Sequence, residues 1–144
     1  MVQENSREIN ADCLVIGDLN VDIIMTGLDR FQEIDSEIVA SDYKMVVGGS
    51  GGIFASVLAM LGIRTSIISK IGDDDLGSFL SEELNNNNVC TSGVIRSNNE
   101  KTGITMSMSY KEGKSQVSSI EIIKKMNPSE IPDTIPASIR HVHF

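Results

Sequence analysis

Met45-Val46-Val47-Gly48-Gly49-Ser50-Gly51-Gly52-Ile53-Phe54-Ala55-Ser56-Val57-Leu58-Ala59-Met60-Leu61-Gly62 is the stretch on which the fold turns. Extended chain enters it, because Tyr43, Met45 and Val47 recur with the period of a strand. Five small residues, Gly48 to Gly52, then make a turn. From Ile53 to Leu61 nearly every residue is apolar, with Phe54, Leu58 and Leu61 on one helical face and Ile53, Val57 and Met60 on another. A helix apolar around its circumference is expected to be buried all round. Gly62 is a natural stop.

Before this stretch, Asp12-Cys13-Leu14-Val15-Ile16-Gly17 reads as a strand covered on both faces, as in a parallel sheet. Val21 to Met25 is apolar except for Asp22. After it, Thr65 to Ile71 fits a second buried strand. Asp73, Asp74 and Asp75 would cap a helix whose apolar face is Leu76, Phe79, Leu80 and Leu84. Asn85 to Asn88 reads as a helix-ending turn, since Asn tolerates left-handed backbone. Ile104, Met106, Met108 and Tyr110 alternate with Thr105, Ser107, Ser109 and Lys111, which predicts a strand whose polar face is wet. Lys111-Glu112-Gly113-Lys114 turns it into a partner strand ending near Ile120. Ile139 to Phe144 looks like one more core strand. The expectation is an α/β core carrying a small β flap. A strand at the end without a crossover partner adds the expectation of a truncated chain.

The 144 residues carry 40% hydrophobic and 22% charged side chains, enough for one domain with a core. A net charge of −8 repels phosphate backbones, which argues against nucleic-acid binding. The polar start, Met1 to Glu8, is not a secretory signal, and no run is long and apolar enough to enter a membrane as a helix. Cys13 and Cys90 are too few for a disulfide framework, and His141 and His143 leave little for zinc. A reducing cytoplasm is the expected setting.

Two places carry candidate chemistry. The glycine turn lets a ligand approach the backbone closely, and free N–H groups at the helix start favour an anion or a hydroxyl-rich ligand. The second is Gly17-Asp18-Leu19-Asn20-Val21-Asp22, after the first strand, where ligands bind in open α/β sheets. Asn20 and Asp22 alternate with apolar neighbours, so an amide and a carboxylate share a face and can grip adjacent sugar hydroxyls. Turn capping accounts for Asp18 and Asn20 but not for Asp22. Gly48-x-Ser50-x-Gly52 is also the pattern of a nucleophile elbow, with Asp73 to Asp75 and His141 or His143 completing a serine-hydrolase order. Against this, the histidines sit inside a strand-like run.

Taken in order, Gly17-x-x-Asn20-x-Asp22, Gly48-Gly49 opening a helix that ends Leu61-Gly62, Ile71-Gly72-Asp73-Asp74-x-x-Gly77 and Thr102-Gly103 resemble the N-terminal half of the ribokinase-like (PfkB) carbohydrate kinases. The resemblance runs from about Cys13 to Phe144. It implies an α/β, Rossmann-like three-layer core with an inserted β lid, cut off after about half the fold. Residues 1–11 would be a disordered tail and 12–144 the domain, with lid strands near 23–25, 38–47, 104–110 and 116–120. It implies that Asn20 and Asp22 bind sugar hydroxyls, that Gly48, Gly49 and Ser50 line the same pocket, and that Asp73 and Asp74 are structural. The family usually has Asn where this chain has Ile53, a substrate-facing position, so the substrate differs or binds more weakly. ATP and Mg are the implied cofactors, but the family's catalytic base and nucleotide pocket lie in later motifs absent from these residues. The expected chain alone is therefore inactive, with no catalytic or metal-ligating residue. The alternative is a stand-alone sugar-binding or dimerising module, paired through the lid strands.

Overall fold

The computed structural model describes residues 10–144. Two four-stranded sheets organise the chain. The first has the order β5-β4-β1-β8 and is parallel throughout: β1 (Cys13–Ile16), β4 (Thr65–Gly72), β5 (Val89–Ser97) and β8 (His141–His143). The second has the order β3-β2-β6-β7 and is mixed. In it, β2 (Asn20–Leu28) runs antiparallel to β3 (Asp42–Gly48) and parallel to β6 (Gly103–Tyr110), and β6 runs antiparallel to β7 (Gly113–Ser119). Helices α1 (Ser50–Met60) and α2 (Asp75–Asn86) cover one face of the parallel sheet, and α3 (Glu121–Lys124) follows the lid.

Alternation along β1 builds the core. Cys13 and Val15 point to the helices, where they join Leu19, Val21, Ala55, Ala59, Ile67, Ile71, Leu80, Leu84 and Val89. Leu14 and Ile16 point the other way, into a smaller cluster with Ala11 and Ile68 packed by Met126, Ile131, Ile139 and Val142. The third layer is thus the irregular segment before β8 rather than a helix. Lys70 holds it down, reaching Glu130 at 3.1 Å and the Lys125 carbonyl at 3.2 Å. Each fully buried Leu or Ile contributes about 1.5–3 kcal/mol by leaving water, so the two-sided burial of β1 and β4 anchors the domain.

Several expectations are corrected. Helix α1 is not buried all round. Its small residues Gly51, Gly52, Ala55, Ser56 and Ala59 face the sheet, because small side chains permit close approach. Ile53, Val57, Met60 and Leu61 remain 49%, 48%, 74% and 72% exposed. Strand β5 was not anticipated, since Cys90-Thr91-Ser92-Gly93 carries no apolar signal and its place is decided by pairing with β4. Residues 38–41 are not strand, and β3 begins at Asp42. On β6 the wet face is inverted. Thr105 and Ser107 are 9% and 8% exposed, whereas Met106 is 38% exposed. Short hydroxyl side chains on a strand flanked by β2 and β7 are covered by their neighbours, and a long thioether reaches past them. Of the expected 1–11 tail, residues 1–9 lie outside the described residues, and Ala11 is fully buried in the core.

The asparagine run behaves as expected. Asn85 and Asn86 end α2, and Asn88 adopts φ 62°, the left-handed turn conformation. No helix among the described residues is long and apolar enough to cross a membrane.

Candidate functional site

The site lies where β1 passes into β2 and where β3 passes into α1. Asn20 opens β2 and pairs in register with Gly48 on one side and Gly103 on the other. Period-two geometry puts Asp22 on the same face, beside Val46 and Thr105. Asn20 Nδ2 donates to Asp22 Oδ1 at 2.7 Å and lies 3.4 Å from Thr105 Oγ1. Thr105 Oγ1 in turn shares a 3.0 Å hydrogen bond with Ser118 Oγ across β6 and β7. Asn20 is buried and Asp22 half-buried. The single hydrogen bond that Asp22 accepts comes from Asn20, so among the described residues no donor engages its second oxygen. A carboxylate aimed by an amide and left with acceptor capacity is what a ligand hydroxyl needs.

Glycine is required at two positions beside this pair. A Cβ on Gly48 would overlap the Asp22 carboxylate. Gly49 has φ 81°, and a Cβ there would lie 2.7 Å from the Asp18 carbonyl oxygen and 3.0 Å from Asn20 Oδ1. The turn therefore brings the start of α1 directly against Asn20.

The N–H groups at that helix start are not free for a ligand, contrary to the expectation from the glycine turn. Asp18 has taken them. Its Oδ1 accepts from Ser50 Oγ at 2.6 Å and from the Gly51 N–H at 2.9 Å, and its backbone carbonyl accepts from the Gly52 N–H at 3.0 Å. Partial burial pushes the Asp18 carboxyl upward, but the hydrogen bonds from Ser50 and Gly51 outweigh it and hold the group below the usual carboxylate range. The helix carries its own internal anion. Asp18 is thus more than a turn cap, and its partnership with Ser50 and Gly51 spans a sequence gap that local reading does not cross. Thr105 and Ser118 were missed for a related reason. Both belong to polar halves of strand alternation, and only the sheet register brings them to Asn20.

Ser50 is exposed and committed to Asp18, while His143 stacks on Phe54 with ring centroids 3.9 Å apart. The Ser…Asp…His arrangement is not assembled. Within the Asp cluster, Asp74 caps α2 through the Gly77 N–H at 2.9 Å and accepts from Thr102 Oγ1 at 2.6 Å and the Thr102 N–H at 3.0 Å. Burial pushes the Asp74 carboxyl up, yet these donors hold it below its ordinary value. Thr102 Oγ1 also accepts the Gly72 N–H at 2.9 Å, fastening the end of β4 to the start of β6. Ile53 sits in the first turn of α1, on the exposed face it shares with Ser50. A groove of about 500 Å³ lined by Asp12, Cys13, Phe54, Leu58, Arg140 and His141 lies elsewhere, at the amino ends of β1 and β8.

Residues 10–123 match the family described as pfkB family carbohydrate kinase. The chain is 40% identical over 78 residues to 2-dehydro-3-deoxygluconokinase of Bacillus subtilis, covering 54% of this chain and 24% of that protein. It is 31% identical over 104 residues to 5-dehydro-2-deoxygluconokinase of Geobacillus thermodenitrificans, covering 72% and 28%. The ribokinase of Cryptococcus neoformans var. grubii, solved with ADP, superposes with a TM-score of 0.73 at 27% identity, over 92% of this chain and 41% of that one. The three-layer core with its β lid is therefore a ribokinase-like fold, and the chain spans about a quarter of the length of each of these two curated relatives.

Proposed function

The chain belongs to the pfkB family of carbohydrate kinases, and from that membership we propose that it forms the substrate-binding and lid part of an ATP-dependent sugar kinase. The complete reaction would transfer the γ-phosphoryl group of ATP to a hydroxyl of a sugar or sugar-like alcohol. The observation that carries this reading is the Asn20–Asp22 pair, 2.7 Å apart on one face of the mixed sheet, with one carboxylate oxygen uncommitted. Asp22 would accept from a substrate hydroxyl, and Asn20 would hold the carboxylate in its rotamer. Gly48, Gly49 and Ser50 would form the adjoining wall, where the missing side chains of the glycines let the sugar close on the backbone. The mixed sheet would close over the ligand and exclude water.

Phosphoryl transfer depends on positioning and on charge stabilisation by metal ions and donors. Among the described residues no three His, Cys, Asp or Glu side chains lie together as a metal group requires. The donors at the start of α1 already serve Asp18. These residues do not fit a magnesium–nucleotide site. The proposed role of this stretch is substrate capture in the cytoplasm, without phosphoryl transfer by these residues alone.

A second reading has its own observation. On the lid face opposite Asp22, Tyr43, Met45, Met106 and Val117 are 68%, 38%, 38% and 66% exposed, a bare apolar surface that supports pairing of two lids in a homodimer.

The test is calorimetric titration of the 144-residue chain with a panel of pentoses, hexoses and aldonic acids, repeated on Asp22→Ala. Saturable binding that the substitution weakens at least tenfold supports the site. Absence of binding to every sugar, or binding indifferent to Asp22, rejects it.

A further inference from the structure

Asn20 is closed in by glycine on two sides. A Cβ on Gly49 would lie 3.0 Å from its Oδ1, and a Cβ on Gly103 would lie 3.1 Å from its own Cβ. At Gly103 the other near neighbours are Ile120 and Ile123, hydrocarbon that takes no amide proton. The carboxamide is buried, so its hydrogen-bond partners decide how its plane lies. Nδ2 donates to Asp22 Oδ1 at 2.7 Å. Two further acceptors stand at 3.4 Å, the Val21 carbonyl of its own strand and Thr105 Oγ1 on β6. Thr105 must be the acceptor there, because an amide nitrogen has no lone pair to offer. Thr105 is itself buried and shares a 3.0 Å hydrogen bond with Ser118 Oγ, its register partner on β7. When Ser118 takes the Thr105 proton, a Thr105 lone pair is turned to Asn20. Ser118, Thr105, Asn20 and Asp22 thus form one line across β7, β6 and β2, and its Ser118 end is exposed.

We infer that Thr105 is a positioning residue, backed by Ser118, and that the two act on Asp22 through Asn20. The carboxylate charge already draws the nitrogen end of the Asn20 amide toward itself. Thr105 adds the second point of attachment, which fixes the amide plane and with it the direction in which Asp22 is held, one oxygen tied and the other turned to a ligand. The exposed edge of the lid hairpin thereby sets the aim of a carboxylate two strands away. What that aimed carboxylate does rests on the sugar-binding reading above; the relay itself exists without ligand. Two other roles for these hydroxyls give different signatures. As mere fastening between β6 and β7 they would affect stability and leave the Asn20 amide alone. As direct ligand contacts they would affect binding and leave the amide alone. A neutral hydrogen bond is modest and 3.4 Å is long for one, so the expected loss of sugar affinity is about three- to tenfold.

The experiment compares the intact chain, labelled with nitrogen-15 and carbon-13, with Thr105→Val, Thr105→Ser and Ser118→Ala. The first readout needs no ligand: exchange of the Asn20 Nδ2 protons with water, followed by NMR. Thr105→Val and Ser118→Ala should each speed that exchange at least threefold, and Thr105→Ser, which restores the hydroxyl, should keep the parent rate. Ser118→Ala changes an exposed side chain, so it decides the matter even if Thr105→Val does not fold. The second readout is calorimetric titration with D-ribose, D-glucose and D-gluconate. A sugar that binds the parent should bind Thr105→Val and Ser118→Ala about three- to tenfold more weakly, and Thr105→Ser within twofold of the parent. Unchanged exchange overturns the relay whatever the sugars do, and weaker binding with unchanged exchange makes the hydroxyls ligand contacts instead. Faster exchange with no change in affinity for a sugar that Asp22→Ala weakens also overturns it, while the sugar site stands. No binding of any sugar by the parent counts against the sugar-binding reading, and the exchange rates alone then decide the relay.

Discussion

Asp18→Asn isolates the charge that the loop after β1 supplies to helix α1. Asparagine keeps a carbonyl oxygen where Asp18 Oδ1 now accepts from Ser50 Oγ at 2.6 Å and the Gly51 N–H at 2.9 Å, so the geometry survives and the anion does not. A hydrogen bond to a charged group is worth about 1.5–3 kcal/mol against about 0.5–1.5 kcal/mol for a neutral one. Charge at a helix start adds about 0.3–1 kcal/mol. With partial exposure screening the carboxylate, the substitution should cost about 1–2 kcal/mol, or about 3–7 °C in melting temperature for a domain of this size. The pH dependence supplies a second signature. Because its hydrogen bonds hold Asp18 below the usual carboxylate range in the folded state, its stabilisation is fully present above the unfolded-state value, about 3.9. It is lost as the pH falls through the lower folded value. Melting temperatures by circular dichroism from pH 7 down to pH 3 should therefore fall less steeply at the acid end in Asp18→Asn than in the parent. A variant within 1 °C of the parent at pH 7 with an unchanged acid limb would refute the internal-anion account of α1.

Gly49→Ala should lower stability by about 1–3 kcal/mol in urea unfolding, because φ 81° is strained for an L side chain and its Cβ meets the Asp18 carbonyl; a change under 0.5 kcal/mol would contradict that reading. Thr102→Val removes the acceptor of the Gly72 N–H and a donor to Asp74, at an expected cost of about 1–3 kcal/mol, with the loss concentrated in amide-exchange protection at Gly72 and Gly77. Met106→Lys should convert any lid-paired dimer to monomer in sedimentation at several concentrations, with the monomer's melting curve little changed because Met106 is 38% exposed; a dimer that survives the charge places the contact elsewhere.

The α/β class, the two buried strands at Asp12–Gly17 and Thr65–Ile71, helix α2 and the β6–β7 hairpin were all legible in the sequence, because each writes its type into a local period or an unbroken apolar run. The ordered motifs also pointed to Asn20 and Asp22. The rest was hidden for stated reasons. Strand β5 opens Val89-Cys90-Thr91-Ser92-Gly93, and its only warrant is the neighbouring edge of β4. The exposed stripe of α1 follows from which helix face has the small residues, something hydrophobicity alone does not rank. The inverted face of β6 reflects its central place between β2 and β7, which covers Thr105 and Ser107.

Periodicity, glycine placement and capping residues, all readable along the chain, by themselves determined most of the strands and helices, β5 excepted, and where the turns must have no side chain. They did so because backbone sterics and burial act over a few neighbours at a time. Only the tertiary structure decided that Asp18 fills the start of α1, that Thr105 and Ser118 complete the polar face at Asn20, and that Ile53 stands exposed in the first turn of α1. Those outcomes depend on sheet register and on contacts between residues 32 to 85 positions apart, and no local pattern encodes them.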